Sequence, residues 1–221
     1  MANLFGGEGE HFGVVSAAKS RRQRKAVLAE RCVSEAIGSL GVGESVFAIT
    51  RGQFSMIDVI RHLVNLCGEG CAVSVWTWTV ADYEVEAFEW FFRTNQVASA
   101  RLVIDRSAEQ RNEGLIERWR EVHGEQQVRV CMNHAKIATV EGGGLSFLAR
   151  GSMNLNYNPR FEQLDISEGG PEFALIRDVE LALPVLPRRC SRKQADDASG
   201  LRNSFAANVL KESSGVKTWA K

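Results

Sequence analysis

The sequence lacks any apolar run of the roughly 18 residues that a membrane-crossing helix requires. Its opening residues, Met1 to Glu10, lack a basic segment followed by an apolar block, the pattern of a secretory leader. These absences point to a chain that works in the cytoplasm and has no membrane partner. Cysteine is scarce and odd in number: Cys32, Cys67, Cys71, Cys131 and Cys190 are spread along the chain, which suits reduced thiols better than a disulfide framework. Cys67 and Cys71, near His62, do not have zinc-ribbon spacing and no second pair follows, so they are expected as core residues flanking a turn. Internal repeats are absent. "GVGES" (41–45) is too short, and has no lysine, to serve as a phosphate-binding P-loop. Net charge is also missing, with 27 basic and 27 acidic side chains in 221 residues.

That neutrality is unevenly built. Only seven of the basic residues are Lys and 20 are Arg, the side chain suited to planar phosphate contacts, although a GC-rich coding sequence produces the same bias. Residues 187–221 carry eight basic and three acidic side chains, and residues 18–25 carry five basic and none acidic. Basic ends on a neutral middle suggest electrostatic contact with nucleic acid; solvated tails are the alternative.

Apolar periodicity predicts a helix over 14–38, then strand and helix alternating four times: strands at 45–50, 71–80, 100–105 and 127–132, helices at 54–68, 82–95 and 114–124. The expected fold is α/β, a mixed, largely parallel sheet flanked by helices, with ligands beyond the strand ends. Its organisation is read as an N-terminal tail and helix (1–40), a central domain (41–186) and a basic C-terminal tail (187–221) with a short helix near 201–212. A last domain helix is expected over 171–185. Trp76 and Trp78 fall on one face of a strand and are expected to pack under a helix, with a base-stacking platform as the alternative.

The rhythm changes at "NHAKIATVEGGGLSFLARGSMN" (133–154). Two short strands separated by "EGGG" predict a hairpin. With Gly142, Gly143 and Gly144 as a three-residue loop, Glu141 faces Leu145, Lys136 faces Arg150, and His134 faces Ser152. Side-chain alternation then places His134, Lys136, Arg150, Ser152 and Asn154 on one polar face. Two cations and two neutral donors suit the oxygens of a phosphate, and a His among them is able to attack phosphorus or move a proton. No residue cluster nearby has metal-ligand spacing, so no cofactor or metal is expected.

These residues resemble the signature of the phospholipase D superfamily: His-x-Lys, an Asp five residues after the Lys, then Gly-Ser-x-Asn. Here the positions hold His134 and Lys136, Glu141 in place of the Asp, and Gly151, Ser152 and Asn154. "RGQFSMIDVI", "WTWTVAD", "VIDRS", "HAKIA" and "SMNLNYNPRFEQ" further resemble a group of phage-associated phospholipase D-like proteins, over about residues 40–185. The resemblance implies a metal-independent phosphodiesterase working through a phosphohistidine, with a later acid orienting the nucleophilic ring. Glu162 is the candidate for that acid and Asp165 the reserve. Ser152 and Asn154 would join Lys136 on the phosphate, and Arg150, Asn156 and Arg160 would contact nucleic acid, expected to be DNA. The family's chemistry needs two His-Lys motifs, and His11, His62 and His123 have no Lys two residues later, so a homodimer is expected to complete the site. A phage origin would place the protein in the host cytoplasm. Two other readings stay open: a phosphate-gripping nucleic-acid binder that does not cleave, and an accessory phage protein that uses the fold as a scaffold.

Overall fold

The computed structural model describes residues 23–29 and 32–200. Eight strands form one mixed sheet: β1 (Gln23–Leu28), β2 (Glu44–Arg51), β3 (Cys71–Thr77), β4 (Val97–Asp105), β5 (Val128–Cys131), β6 (Ile137–Gly142), β7 (Leu145–Gly151) and β8 (Phe161–Glu168). Their spatial order is β1-β2-β8-β7-β6-β3-β4-β5. The pairs β1–β2, β3–β4 and β4–β5 are parallel, and the four central pairings are antiparallel. Seven helices accompany the sheet among the described residues: α1 (Val33–Ile37), α2 (Met56–Cys67), α3 (Asp82–Arg93), α4 (Arg106–Arg111), α5 (Glu113–His123), α6 (Pro171–Ala182) and α7 (Arg192–Ala198). The fold class is therefore α/β, as the alternation implies.

Local chemistry explains the element ends. Ser55 and Asp58 form a capping box at the start of α2, with the Ser55 N–H donating to Asp58 Oδ2 at 2.9 Å, and Gly68 ends the helix at φ 92°. Asp105 caps α4 by accepting from the Ser107 N–H at 2.8 Å. The buried face of α2 (Ile57, Ile60, Leu63, Val64) packs in one core with Phe88 and Phe91 of α3, Ile116 and Trp119 of α5, and Val140, Phe147 and Ala149 of the sheet. The opposite sheet face is covered by α6. There the wholly buried Glu180 carboxylate accepts from Ser74 Oγ and, at 2.7 Å, from Trp76 Nε1, and pairs with Arg101 at 3.4 Å. Trp76 thus packs under a helix as expected.

Three expectations are corrected. Residues 23–28 are a strand, not part of a helix, because the open edge of β2 offers a backbone ladder that a helix would leave unpaired. Lys25 Nζ donates to Ala36 O at 3.1 Å, holding the strand against α1. At the other end, residues 187–200 are not a loose tail: Cys190 and Ala195 are buried in the main core, and Ser199 Oγ accepts from the Met132 N–H at 3.2 Å. The helix expected near 201–212 lies outside the described residues, as do most of 18–25.

The third correction concerns the hairpin. Its loop is two residues, Gly143 (φ 55°) and Gly144 (φ 81°), a type I′ geometry that matches strand twist. Gly142 therefore faces Leu145, Glu141 faces Ser146, and Ile137 faces Arg150. This is one residue away from the expected register. Glu141 lies at the loop end, 3.9 Å from Arg177 of α6. The glycines also fit against the Cys67–Cys71 turn: a Cβ on Gly142 would sit 2.9 Å from Cys71 Sγ, and one on Gly143 would overlap Cys67 O.

Two outcomes follow for stability. Gly143→Ala is expected to cost about 2 kcal/mol or more, through left-handed strain plus overlap, and Gly144→Ala, with open space around it, about 1 kcal/mol. Urea denaturation midpoints of the two variants check the order. His123 lies against Phe92 and Trp119 (ring centroids 5.3 and 4.9 Å), and burial pushes its imidazole from 6.5 down to about 4. A depressed histidine binds its proton in the unfolded chain first, so stability is lost as pH falls from 6.5 toward 4. His123→Met should remove that component, up to about 3 kcal/mol between those limits, in denaturation curves taken across the window.

Candidate functional site

The topology gathers seven chain segments at one sheet edge. β2, β3, β4 and β5 end there, β7 ends beside them, and β6 and β8 begin there. His134 and Lys136 lie in the loop between β5 and β6 rather than on the strand, and Ser152 and Asn154 lie just beyond β7. The one-residue register difference therefore does not dismantle the site, because hydrogen bonds and not the pleat position these side chains.

Asn133, buried at 5 % exposure, anchors the His-x-Lys loop. Its Nδ2 donates to Thr77 O at 3.0 Å and Val103 O at 3.3 Å, its Oδ1 accepts from the Ala135 N–H at 2.9 Å, and its own N–H donates to Asp105 Oδ2 at 3.1 Å. Asn154 anchors the second loop from the other side: its Oδ1 accepts from the Trp78 N–H at 3.2 Å, and the Leu155 N–H donates to Thr77 Oγ1 at 2.9 Å. The carbonyl of Thr77 and the N–H of Trp78 belong to one peptide group. That peptide is held by Asn133 on one side and Asn154 on the other, so both motif halves hang on it. A direct bond, Gly151 N–H to Lys136 O at 3.1 Å, joins them again.

His134 is exposed, and Lys136 is half-buried beside it. Lys136 Nζ lies 3.1 Å from His134 Nδ1 and 2.6 Å from His134 O. Burial pulls the Lys136 ammonium below its usual range, and the nearby Glu162 carboxylate opposes that pull. Since an ammonium only donates, Nδ1 is the acceptor in this arrangement and Nε2 carries the ring proton of the neutral form. Ser152 Oγ donates to Glu162 Oε2 and accepts from the Gln163 N–H at 3.0 Å, while Asn158 Nδ2 donates to Glu162 Oε1 at 3.0 Å.

The expected residues therefore divide. His134, Lys136, Ser152, Asn154 and Glu162 belong to one connected group. Glu162, however, is bonded to Ser152 and Asn158 rather than to the imidazole it was expected to orient. Asp165 pairs with Arg150 at 3.5 Å, across β7 and β8 and level with Ile137, which takes both out of the His134 cluster. Arg160 is exposed in the loop before β8, and Asn156 is half-buried in that loop. Lys136 does not face Arg150, because the shorter loop shifts the register.

Four residues that sequence reasoning did not assign to this site belong to it: Asn133, Thr77, Trp78 and Arg111. Trp78 was expected in the core, but the strand ends at Thr77 and its ring stays exposed, 6.0 Å from the His134 ring by centroid. Arg111, at the end of α4, lies 5.1 Å over the Trp78 ring. The signal available in the sequence was the Asn immediately before His-x-Lys.

The remaining histidines are elsewhere. His62 Nε2 bonds Gly38 O at 2.8 Å, His123 is half-buried among aromatics, and His11 lies outside the described residues. No helix among the described residues is long and apolar enough to cross a membrane.

No family model matches this chain, and no curated protein does. Among solved structures, the chain is similar to phosphatidylserine synthase of Haemophilus influenzae Rd KW20, at 12 % identity and a TM-score of 0.46. The match covers 76 % of this chain and 46 % of that one, so this chain spans less than half of its length.

If one peptide group ties the two loops, the asparagines that grip it should be coupled. Asn133→Ala alone should cost about 2–3 kcal/mol, since it leaves buried carbonyls without a donor. Combined with Asn154→Ala, the losses should depart from additivity by about 0.5 kcal/mol or more in a double-mutant cycle. Additive losses would show that the Thr77–Trp78 peptide transmits nothing between them.

Proposed function

We propose that this chain is a phospholipase D-like phosphodiesterase that cleaves nucleic acid, DNA by preference, with its site completed by a second copy. The observation that carries the reading is the Lys136 ammonium 3.1 Å from the exposed His134 imidazole, at a strand-end edge shared with the Gly151-Ser152-x-Asn154 turn. In this reading Lys136 and the Asn154 Nδ2 hold the anionic oxygens, and His134 Nε2 attacks phosphorus. Attack requires the ring proton on Nδ1, so the ammonium turns off Nδ1 toward the entering phosphate, a rotation of one flexible side chain. The bond from phosphorus to the leaving oxygen breaks as the Nε2–phosphorus bond forms. A second imidazole gives that oxygen a proton, then takes one from the water that hydrolyses the phosphohistidine.

One chain offers one such imidazole among its described residues, so the acid is assigned to His134 of a second copy across a two-fold axis. The two rings work in opposite protonation states and exchange roles by symmetry. Arg160 and Asn156 are assigned to the flanking backbone, and the basic residues of 18–25 and 192–221 add salt-dependent affinity, while Arg188 and Arg189 are held by Glu117, Glu125 and Glu113. Glu162 is assigned a positioning role through Ser152 and Asn158. Arg150, engaged with Asp165, has no part in this scheme.

A second reading has specific support. With Lys136 on His134 Nδ1 and Glu162 occupied by Ser152 and Asn158, the site resembles a phosphate grip more than a primed nucleophile. In that case the chain binds nucleic acid without cutting it.

The test uses plasmid and single-stranded DNA in excess EDTA. Cleavage by the wild type and its loss, by about a thousandfold or more, in His134→Ala supports the enzyme. Excess His134→Ala subunit, pre-mixed with the wild type under exchange, should suppress the remaining activity if the site is shared. Salt-sensitive binding by both proteins without cleavage selects the second reading. An enzyme that is active as a monomer in sedimentation rejects the shared site.

A further inference from the structure

The phosphate reading leaves Trp78 unused. The residue is 38 % exposed, although indoles are costly to leave in water. Trp76, two residues earlier, shows what a packed indole does in this fold: its N–H donates to the buried Glu180. Trp78 has no such partner among the described residues. Instead its ring stands 6.0 Å from the His134 ring, tilted by 52°, and the exposed Arg111 guanidinium lies 5.1 Å over it. Its backbone is fixed at both sides by the asparagines of the two motif loops. A rigidly placed aromatic surface therefore adjoins the candidate nucleophile, capped by a cation that is itself planar.

We propose that Trp78, flanked by Arg111, forms a stacking platform for one unpaired nucleobase next to the phosphate held at His134, so that the substrate is single-stranded nucleic acid. This rests on the phosphodiester reading of the His134 site and narrows it. The gap between the two rings is of the size that one nucleotide bridges between its phosphorus and its base. Every base has a π-face, so such a platform recognises the absence of pairing rather than the sequence. In an intact duplex those faces are covered by neighbouring base pairs, and exposing one requires unstacking. Arg111 lies too close to the indole, at 5.1 Å, for a base to enter between them, so a bound base displaces its flexible side chain, which is then free to pair with a flanking phosphate without sequence preference.

The experiment measures binding by fluorescence anisotropy in EDTA, using three end-labelled probes of equal length: a single strand, its duplex, and the same strand with abasic sites. Every protein carries His134→Ala so that the probes stay whole; this otherwise wild-type parent is compared with the same chain carrying Trp78→Ala, Trp78→Phe or Arg111→Ala, each checked by circular dichroism and sedimentation. The parent should bind the base-bearing single strand about tenfold more tightly than the abasic strand or the duplex. Trp78→Ala should erase that preference, Trp78→Phe should retain most of it, and Arg111→Ala should reduce it. Equal affinity of the parent for base-bearing and abasic strands overturns the platform and leaves the phosphodiester reading standing. If Trp78→Ala converts a dimer to a monomer, Trp78 is a subunit contact and the platform is also overturned. Failure of every probe to bind overturns both readings of nucleic acid.

Discussion

The peptide group between Thr77 and Trp78 is the constraint on which the site depends. Its carbonyl accepts from the buried amide of Asn133, and its N–H donates to the side chain of Asn154. One asparagine belongs to the loop that carries His134 and Lys136, and the other to the loop that carries Ser152. Because a peptide is planar, the positions of its two hydrogen-bonding groups are not independent. The two motif halves, which are far apart on the strand path through the hairpin, thus share one rigid reference. Thr77 adds a third tie, its hydroxyl accepting from the Leu155 N–H. Asp105 braces the arrangement from β4 by accepting from the Asn133 N–H.

Much of the sheet was legible because hydrophobic period is a local signal. The alternation from β2 to β5 and the helices between them fall where apolar spacing places them, and capping residues such as Ser55 and Gly68 mark the ends of α2. The parts that were not legible depend on distant partners. β1 is a strand only because the β2 edge is open to it, and nothing within 23–28 encodes that edge. α4 has a single apolar residue, Ala108, among its six, so it has no apolar period to find; its start is set by the Asp105 cap. The triple glycine allowed loops of two or three residues, and contact with Cys67 and Cys71 decides between them.

The candidate site was legible in its residue types and not in its geometry. His134, Lys136, Ser152, Asn154 and Glu162 do converge, yet through loops beyond the strand ends. The expected face of a ribbon, with Arg150 among its members, does not form: Arg150 pairs with Asp165, in line with Ile137. Asn154 has a second task that residue type alone hides. Its carbonyl oxygen holds the Trp78 backbone, which leaves its amide hydrogens as the part available to a ligand. Glu162, on β8, has both carboxylate oxygens engaged by the loop that precedes it. Trp78 was misplaced because the expected strand, 71–80, ran three residues past the end of β3 at Thr77.

The electrostatics of the His134–Lys136 pair follow from the same architecture. An ammonium drawn partly out of water loses hydration and gains by meeting an anion, so burial that lowers its proton affinity also sharpens its preference for a phosphate oxygen. Glu162 limits that effect by offsetting some of the positive charge. When an anion enters, the strongest new attraction is between it and the ammonium, and the contact of Nζ with Nδ1 is the weaker one. In the proposed mechanism, release of Nδ1 lets the ring proton move there and exposes the Nε2 lone pair. Charge would then set the order of events: phosphate binding, movement of the lysine, attack by the imidazole. On that proposal the nucleophile stays masked until the group it attacks is in place.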